Sequence, residues 1–304
     1  DLALGRDGKV FLVCDDTLVV KKGKIVRRSA AIAMARGAEV SILSVDSATD
    51  EMIVRTDPTH LHWWHASEVE AIANGEARWA CADARSHLAV SVDEKGAKVF
   101  IHDLSRHDRK ELSVSMETAE SMANSTPGCA LSDDWLVLST ETSVEIWDRK
   151  AVRRAKTIPV TKDFGASSLQ VVGQRVGWVE SEPLVTASKI RAFVMQKGEP
   201  VSLDASLALG KAGSMLHDFT FDEEGGIFAL GRNTLRYRGR AKASWSSIWD
   251  TGHSDCVFSG LRVSPDGKLV RAVASCPPGG DGPAPPVEKT HSFVGTVPDL
   301  SCPR

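Results

Sequence analysis

Short apolar runs recur along the whole chain, broken by Gly, Asp, Asn and Ser. Period-two alternation dominates, and the helical period of about 3.6 residues is scarce. The clearest helical candidate, Ser67–Asn74 (SEVEAIAN), is too short to stand as a helix. The pattern therefore predicts strands. Residues 88–103, LAVSVDEKGAKVFIHD, read as strand, turn, strand, closing on Ile101-His102-Asp103. Residues 135–148, WLVLSTETSVEIWD, do the same and close on Ile146-Trp147-Asp148. Val10–Lys22, Met52–His65, Val176–Val194 and Ile227–Gly239 fit the same frame. A weaker copy runs over Leu269–Ser275 and resumes at His291–Gly295.

These are seven copies. Anchored at Leu18, Leu61, Val99, Val144, Ile190, Leu235 and His291, they are spaced by 43, 38, 45, 46, 45 and 56 residues. The last interval holds an inserted Pro/Gly loop, CPPGGDGPAPPVEKT. Each copy is preceded by a further apolar run, at 2–4, 41–45, 79–82, 129–131, 169–172, 219–221 and 261–263. Most are followed by an outer one, such as KELSV at 110–114, KTIPV at 156–160 and EPVSL at 199–203. A period near about 40–45 residues with several short strands per unit predicts a β-propeller. One small sheet cannot bury both faces alone, and stacking on neighbours solves that problem. The expected architecture is all-β: a single domain over 1–304, a seven-bladed β-propeller of four-stranded antiparallel blades. The blades fall at approximately 1–30, 38–73, 78–115, 128–161, 168–204, 217–249 and 256–300. The outermost strand of the last blade is expected from the tail near Thr296–Leu300.

Gly252 to Ser275, GHSDCVFSGLRVSPDGKLVRAVAS, resembles the first half of a WD40 repeat. Gly252-His253, Asp255 and the turn Ser264-Pro265-Asp266-Gly267 carry the resemblance, and Trp147-Asp148 supplies the repeat's ending in another blade. Ile101-His102-Asp103 is a worn version of that ending. The resemblance implies structural, repeat-holding roles for Gly252, His253, Asp255, Trp147 and Asp148. It also implies a divergent WD40-like propeller that binds other proteins. No blade carries both Gly-His and Trp-Asp, which puts the repeat's hydrogen-bond network in question.

The stretch HLHWWH, residues 60–65, invites a metal-site reading. As a third strand of blade 2 it sets His60, His62 and Trp64 on one face and Leu61, Trp63 and His65 on the other. Three histidines split in this way cannot converge on one ion, and zinc takes three or four ligands. Blade-to-blade packing by the tryptophans is the expectation, with no metal and no cofactor.

Lys plus Arg number 37 and Asp plus Glu 40, a balance that argues against wholesale nucleic-acid binding. No apolar run approaches the roughly 18 residues needed to span a bilayer, so no membrane insertion is expected. Six cysteines carry neither a CxxC nor a Cys-His cluster. In a hairpin turning at Asp266, Cys256 and Cys276 stand opposite each other and predict a disulfide. That pair gives a slight lean towards an exported, periplasmic or extracellular setting, with the cytoplasm as the alternative. Cys302 is placed near Cys14 if the propeller closes, and Cys81 and Cys129 are expected to be free thiols.

No GxSxG, HExxH or P-loop is present. The carboxylate pairs Asp15-Asp16, Asp133-Asp134 and Glu223-Glu224 fall where turns are expected. The leading expectation is a non-enzymatic protein–protein interaction module or scaffold whose partner is another protein or peptide. Arg236, Arg238 and Arg240 alternate on one face of a blade 6 strand and are the candidate contacts for an acidic partner. Their plainer reading is a solvated outer edge that discourages strand addition. The alternative function is a secreted or periplasmic propeller that binds a small ligand, or acts as a hydrolase, through its central channel. A sensor domain at the end of a larger chain is a third reading.

Overall fold

The computed structural model describes residues 1–31, 40–56, 60–65, 68–73, 79–92, 98–114, 128–162, 164–181, 188–203, 216–240, 244–251, 256–275, 287–292 and 297–303. Every regular element in them is a strand, apart from two single turns of 3-10 helix at Arg6–Gly8 and Ala84–Ser86. The first sheet holds β1 (Leu2–Leu4), β2 (Val10–Cys14), β3 (Thr17–Lys22) and β4 (Ile25–Ala31). The second holds β5 (Val40–Asp46), β6 (Glu51–Thr56), β7 (His60–His65) and β8 (Glu68–Ala73). The third holds β9 (Trp79–Asp83), β10 (Leu88–Val92), β11 (Val99–Asp103) and β12 (Asp108–Leu112). The fourth holds β13 (Cys129–Leu131), β14 (Trp135–Ser139), β15 (Ser143–Asp148) and β16 (Arg153–Pro159). The fifth holds β17 (Gly165–Val172), β18 (Arg175–Ser181), β19 (Ser188–Gln196) and β20 (Glu199–Leu203). The sixth holds β21 (Leu216–Phe221), β22 (Ile227–Gly231), β23 (Thr234–Arg238) and β24 (Ser246–Asp250). A last sheet holds β25 (Val257–Val263), β26 (Leu269–Ser275) and β27 (Val287–Ser292). In each sheet, order in space follows order in sequence.

Seven complete four-stranded blades were expected, and here the structure corrects the sequence. Six sheets have four strands; the last has three among the described residues. Residues 297–300 form no strand. The tail is bound to the first sheet instead. The Lys21 ammonium meets the Asp299 carboxylate at 2.6 Å and donates to the Ser301 carbonyl at 2.7 Å. Arg28 donates to the Pro303 carbonyl, and Cys302 is bonded to Cys14.

The chain forms two compact units: Asp1–Thr140 with Trp147–Arg153 and Pro298–Arg304, and Glu141–Ile146 with Arg154–Val297. In the first unit apolar faces of neighbouring sheets close on each other. Phe11, Leu18 and Val20 meet Met52, Val54 and Trp64, and Leu88, Val90 and Ile101 join Leu136, Leu138 and Trp147. In the second unit Val179, Ile190 and Ala192 meet Phe219, Phe221 and Ala229. Phe228, Leu230 and Leu235 then meet Phe258, Val270 and Ala272. Strands buried on both faces read as near-continuous apolar runs. This is why WLVLS and IFALG, buried at every position, were visible in the sequence.

Buried charge is met by partners. Glu180 is fully buried on β18 and faces four donors. Trp178 Nε1 donates at 3.1 Å, Arg191 at 3.1 Å, and Lys189 lies at 3.2 Å, with the Thr161 hydroxyl completing the shell and in turn receiving Lys189 at 2.7 Å. Burial alone would raise this carboxyl. The hydrogen bonds of Thr161 and Trp178 and the charge of Arg191 outweigh it and hold Glu180 below its ordinary value.

Candidate interaction surfaces

In the third sheet Ser91 Oγ and His102 Nε2 lie 2.7 Å apart, both buried, so a hydroxyl on β10 and the ring one strand out are joined. Trp147, at the matching place on β15, is buried in the core of the first unit. The acids that follow them end the strands. Asp103 accepts from the Ser105 hydroxyl and the Arg106 amide, and Asp148 accepts from the Ala151 amide at 2.9 Å. An Asp that bonds the backbone two or three residues on makes the turn its own side chain needs. The Ser264–Gly267 turn uses the same chemistry: Ser264 Oγ donates to Asp266 at 2.6 Å and accepts from the Leu269 amide at 2.9 Å. Burial opposes the Asp266 charge, but the Ser264 and Lys268 hydrogen bonds hold its carboxyl below the ordinary range. Gly267 sits at φ +68°, a conformation only glycine adopts without cost. Gly252, His253 and Asp255 lie outside the described residues.

HLHWWH is β7, and its tryptophans pack in opposite directions. Trp63 meets Ala84 and Leu104 of the third sheet, and Trp64 meets Phe11 and Leu18 of the first. The histidines separate. His62 Nε2 lies 3.0 Å from Thr56 Oγ1, while His65 stacks on Trp63 with centroids 3.7 Å apart. Glu51, mostly buried, accepts from Trp63 Nε1 at 3.1 Å and faces His87 Nε2 at 3.1 Å. Glu70 faces His65 and, across to the third sheet, His107 at 3.0 Å. The sequence pointed to three histidines in one strand; the structure instead joins one of them, His65, to His107 through Glu70, while Glu51 joins Trp63 to His87.

Arg236 and Arg238 are half-buried on β23 and Arg240 is exposed just beyond it. The outer-edge reading of this strand is corrected, because β24 pairs along its far side, with Arg236 opposite Ser247 and Tyr237 opposite Ser246. Arg236 and Arg238 stand opposite Ala229 and Ile227, on the face turned to the fifth sheet. Arg175 of that sheet lies flat on Gly225: a Cβ there would sit 2.4–2.7 Å from its guanidinium. Burial, and then the like charge of Arg240, lower the Arg175 basicity from its ordinary value. Four arginines of two sheets therefore line one seam of the second unit.

Three inner strands of the second unit break register at a bulge, between Ser167 and Gln170, Leu216 and Asp218, and Ser259 and Arg262. The extra residue on β21 is His217. Burial pushes its imidazole below the ordinary value, aided by Arg232. Burial pushes the neighbouring Asp218 carboxyl up, against hydrogen bonds from the Phe219 amide and Ser168 and the charge of Arg262. Sequence reasoning missed both residues. The apolar run there begins only at Phe219, and polar residues in a bulge leave no alternation to see.

Cys14 and Cys302 are bonded, with Cα atoms 5.8 Å apart. Cys81 and Cys129 are not the free thiols expected; they too are bonded, at a Cα separation of 5.8 Å. They sit on β9 and β13, inner strands that run close enough to bring both sulfurs within reach. Cys256 is buried and disulfide-bonded, while Cys276 lies outside the described residues.

No protein-family model matches the chain, and no curated protein does. Solved structures do. A chain of the mitotic checkpoint complex is similar at 14% identity and a TM-score of 0.60, over 89% of this chain and 82% of that one. KlAtg21, solved in complex with the coiled coil of AgAtg16, is similar at 12% identity and a TM-score of 0.59, over 96% and 98%. Hsv2p of Kluyveromyces lactis follows at 13% identity and a TM-score of 0.51, over 78% and 70%. At such identities the likeness speaks for the fold alone. That fold is a β-propeller built of four-stranded antiparallel blades.

Proposed function

We propose that this chain is a non-enzymatic protein-interaction module, a WD40-type propeller whose loop faces hold a protein or peptide partner. One observation carries the reading: over 89% and 96% of its length the chain shares its fold with proteins solved in assemblies with other proteins. Fold alone does not fix function, so the reading leans on these residues as well. Arg236, Arg238 and Arg240, with Arg175 beside them, form the contact for acidic side chains of the partner. The β25–β27 sheet counts as the seventh blade of a single domain over 1–304. Gly252, His253 and Asp255 keep their repeat-holding roles in it. Cys256 is buried and disulfide-bonded, and we infer that its partner is Cys276. The disulfide content favours an oxidising, exported setting.

Affinity capture from the native source with the intact chain as bait, read by mass spectrometry, tests this. The expected result is a protein retained in near-stoichiometric amount and weakened by the triple reversal Arg236→Glu, Arg238→Glu, Arg240→Glu. Capture of no protein overturns the reading.

A further inference from the structure

The cysteines of this chain differ in what surrounds them. Cys81 is buried and Cys129 half-buried, both packed into the apolar core that the third and fourth sheets share. Cys256 is buried as well. Cys302 is exposed, and its partner Cys14, at the end of β2, is half-buried. A thiolate must reach a sulfur to exchange with it, so access sets the Cys14–Cys302 bond apart from Cys81–Cys129.

The segment held by this bond has little else to keep it in place. Residues 298–303 pair with no strand among the described residues. Polar contacts lay them on the first sheet. The Asp299 carboxylate lies 2.6 Å from Lys21 Nζ, which also donates to the Ser301 carbonyl at 2.7 Å. Arg28 donates to the Pro303 carbonyl at 3.1 Å. Asp299 is 68% exposed and folds back on its own segment, accepting from the Ser301 amide at 2.9 Å and hydroxyl at 2.7 Å. Exposed contacts of this kind contribute little singly, so the covalent bond decides whether the segment stays. Lys21 depends on it most. Its side chain is 7% exposed, and both acceptors of its ammonium belong to this segment.

We propose that 298–303 is a redox-latched strap over Lys21, opened by a dithiol reductant. A thiolate of the dithiol attacks Cys302 Sγ, the S–S bond breaks, and Cys14 leaves as a thiolate that takes up a proton. The second thiol of the reductant then displaces Cys302, which leaves as a thiol, and the reductant closes to its own disulfide. Two electrons and two protons pass from the dithiol to the protein. With the latch open the strap lifts, water replaces its acceptors, and Lys21 on β3 is uncovered. Exchange with an external disulfide runs the steps backwards and covers it again. The device goes beyond the interaction-module reading, and capture of a partner neither supports nor weakens it.

The intact chain, treated with dithiothreitol without denaturant, tests the strap. Timed samples are alkylated with iodoacetamide, acetylated with the N-hydroxysuccinimide ester of acetic acid, and mapped by mass spectrometry. Cys14 and Cys302 are expected to be alkylated at least about tenfold faster than Cys81 and Cys129, as access to the sulfur implies. Acetylation of Lys21 should rise about tenfold on reduction, as local opening of its cover implies, while the amides of β10 and β14 keep their protection from hydrogen exchange. Cys302→Ser, a change at an exposed position, should label Lys21 without reductant at the rate of the reduced wild type. In a sample left unalkylated, oxidised glutathione should protect Lys21 again. One alkylation rate for all four cysteines, or a Lys21 still protected after reduction or in Cys302→Ser, would overturn the strap. Loss of protection in β10 and β14 would overturn it too, because the bond would then hold the fold rather than latch a segment. A Lys21 that stays labelled after glutathione treatment would leave no reversible latch and has the same consequence.

Discussion

Replacing Glu180 by Gln keeps the shape of the side chain and removes its charge. The carboxylate is fully buried and its donors come from Thr161, Trp178, Lys189 and Arg191. Gln keeps one oxygen for Trp178 and Arg191 but turns an NH₂ towards Lys189 and Thr161. Two charge-assisted contacts are lost outright, each contributing roughly 1.5–3 kcal/mol. Arg191 and Lys189 are about a third exposed, so water takes back part of what they lose. The expected net cost is about 2–4 kcal/mol, near the lower end of the range for breaking a buried pair. The sign with pH follows from the depressed carboxyl. Its stabilisation is present above the unfolded value of about 4.3 and is lost as pH falls through the lower folded value. Urea unfolding of wild type and Glu180→Gln between pH 7 and pH 3 measures this directly. The gap between the two should be full at pH 7 and shrink progressively below about pH 4.3. A gap under about 0.5 kcal/mol at pH 7, typical of an indifferent surface change, or one that does not change with pH, would refute the reasoning.

Three further outcomes are expected. Gly225→Ala forces φ +95° on a residue with a Cβ and displaces Arg175; a loss of about 1–3 kcal/mol in chemical unfolding checks it. His102→Phe leaves Ser91 Oγ buried without its ring nitrogen and should cost about 1–3 kcal/mol, whereas the double change with Ser91→Ala should recover part of that. Peptide mapping without reduction should recover Cys14 joined to Cys302 and Cys81 joined to Cys129. Cys81→Ser with Cys129→Ser, opening a loop with a separation of 48 residues, should lower stability by up to about 4 kcal/mol by chain entropy.

The strand pairs were legible because burial on both faces writes itself as apolar runs. WLVLS and IFALG needed no other clue, and HLHWWH was placed on the right strand by its frame in the repeat. Contacts between sheets left no such trace. Cys81 and Cys129 met because two inner strands lie side by side, a spacing that sequence separation does not encode. That 297–303 joins the first sheet, and adds no strand to the last among the described residues, was hidden for a similar reason: Asp299 and Cys302 find Lys21 and Cys14, nearly the whole chain away. His217 and Asp218 were lost in a bulge, where alternation fails. The arginines of β23 were visible as an alternating set, but their cover by β24 and their approach to Arg175 belong to tertiary packing.

The central claim is that this propeller holds a protein through the turns at its sheet ends. Cross-linking mass spectrometry on the captured complex tests it most directly. The account predicts cross-links from the partner to lysines in inter-strand turns, such as Lys9, Lys150, Lys197 and Lys268. Cross-links confined to lysines within strands, such as Lys22, Lys110 and Lys156, would contradict it.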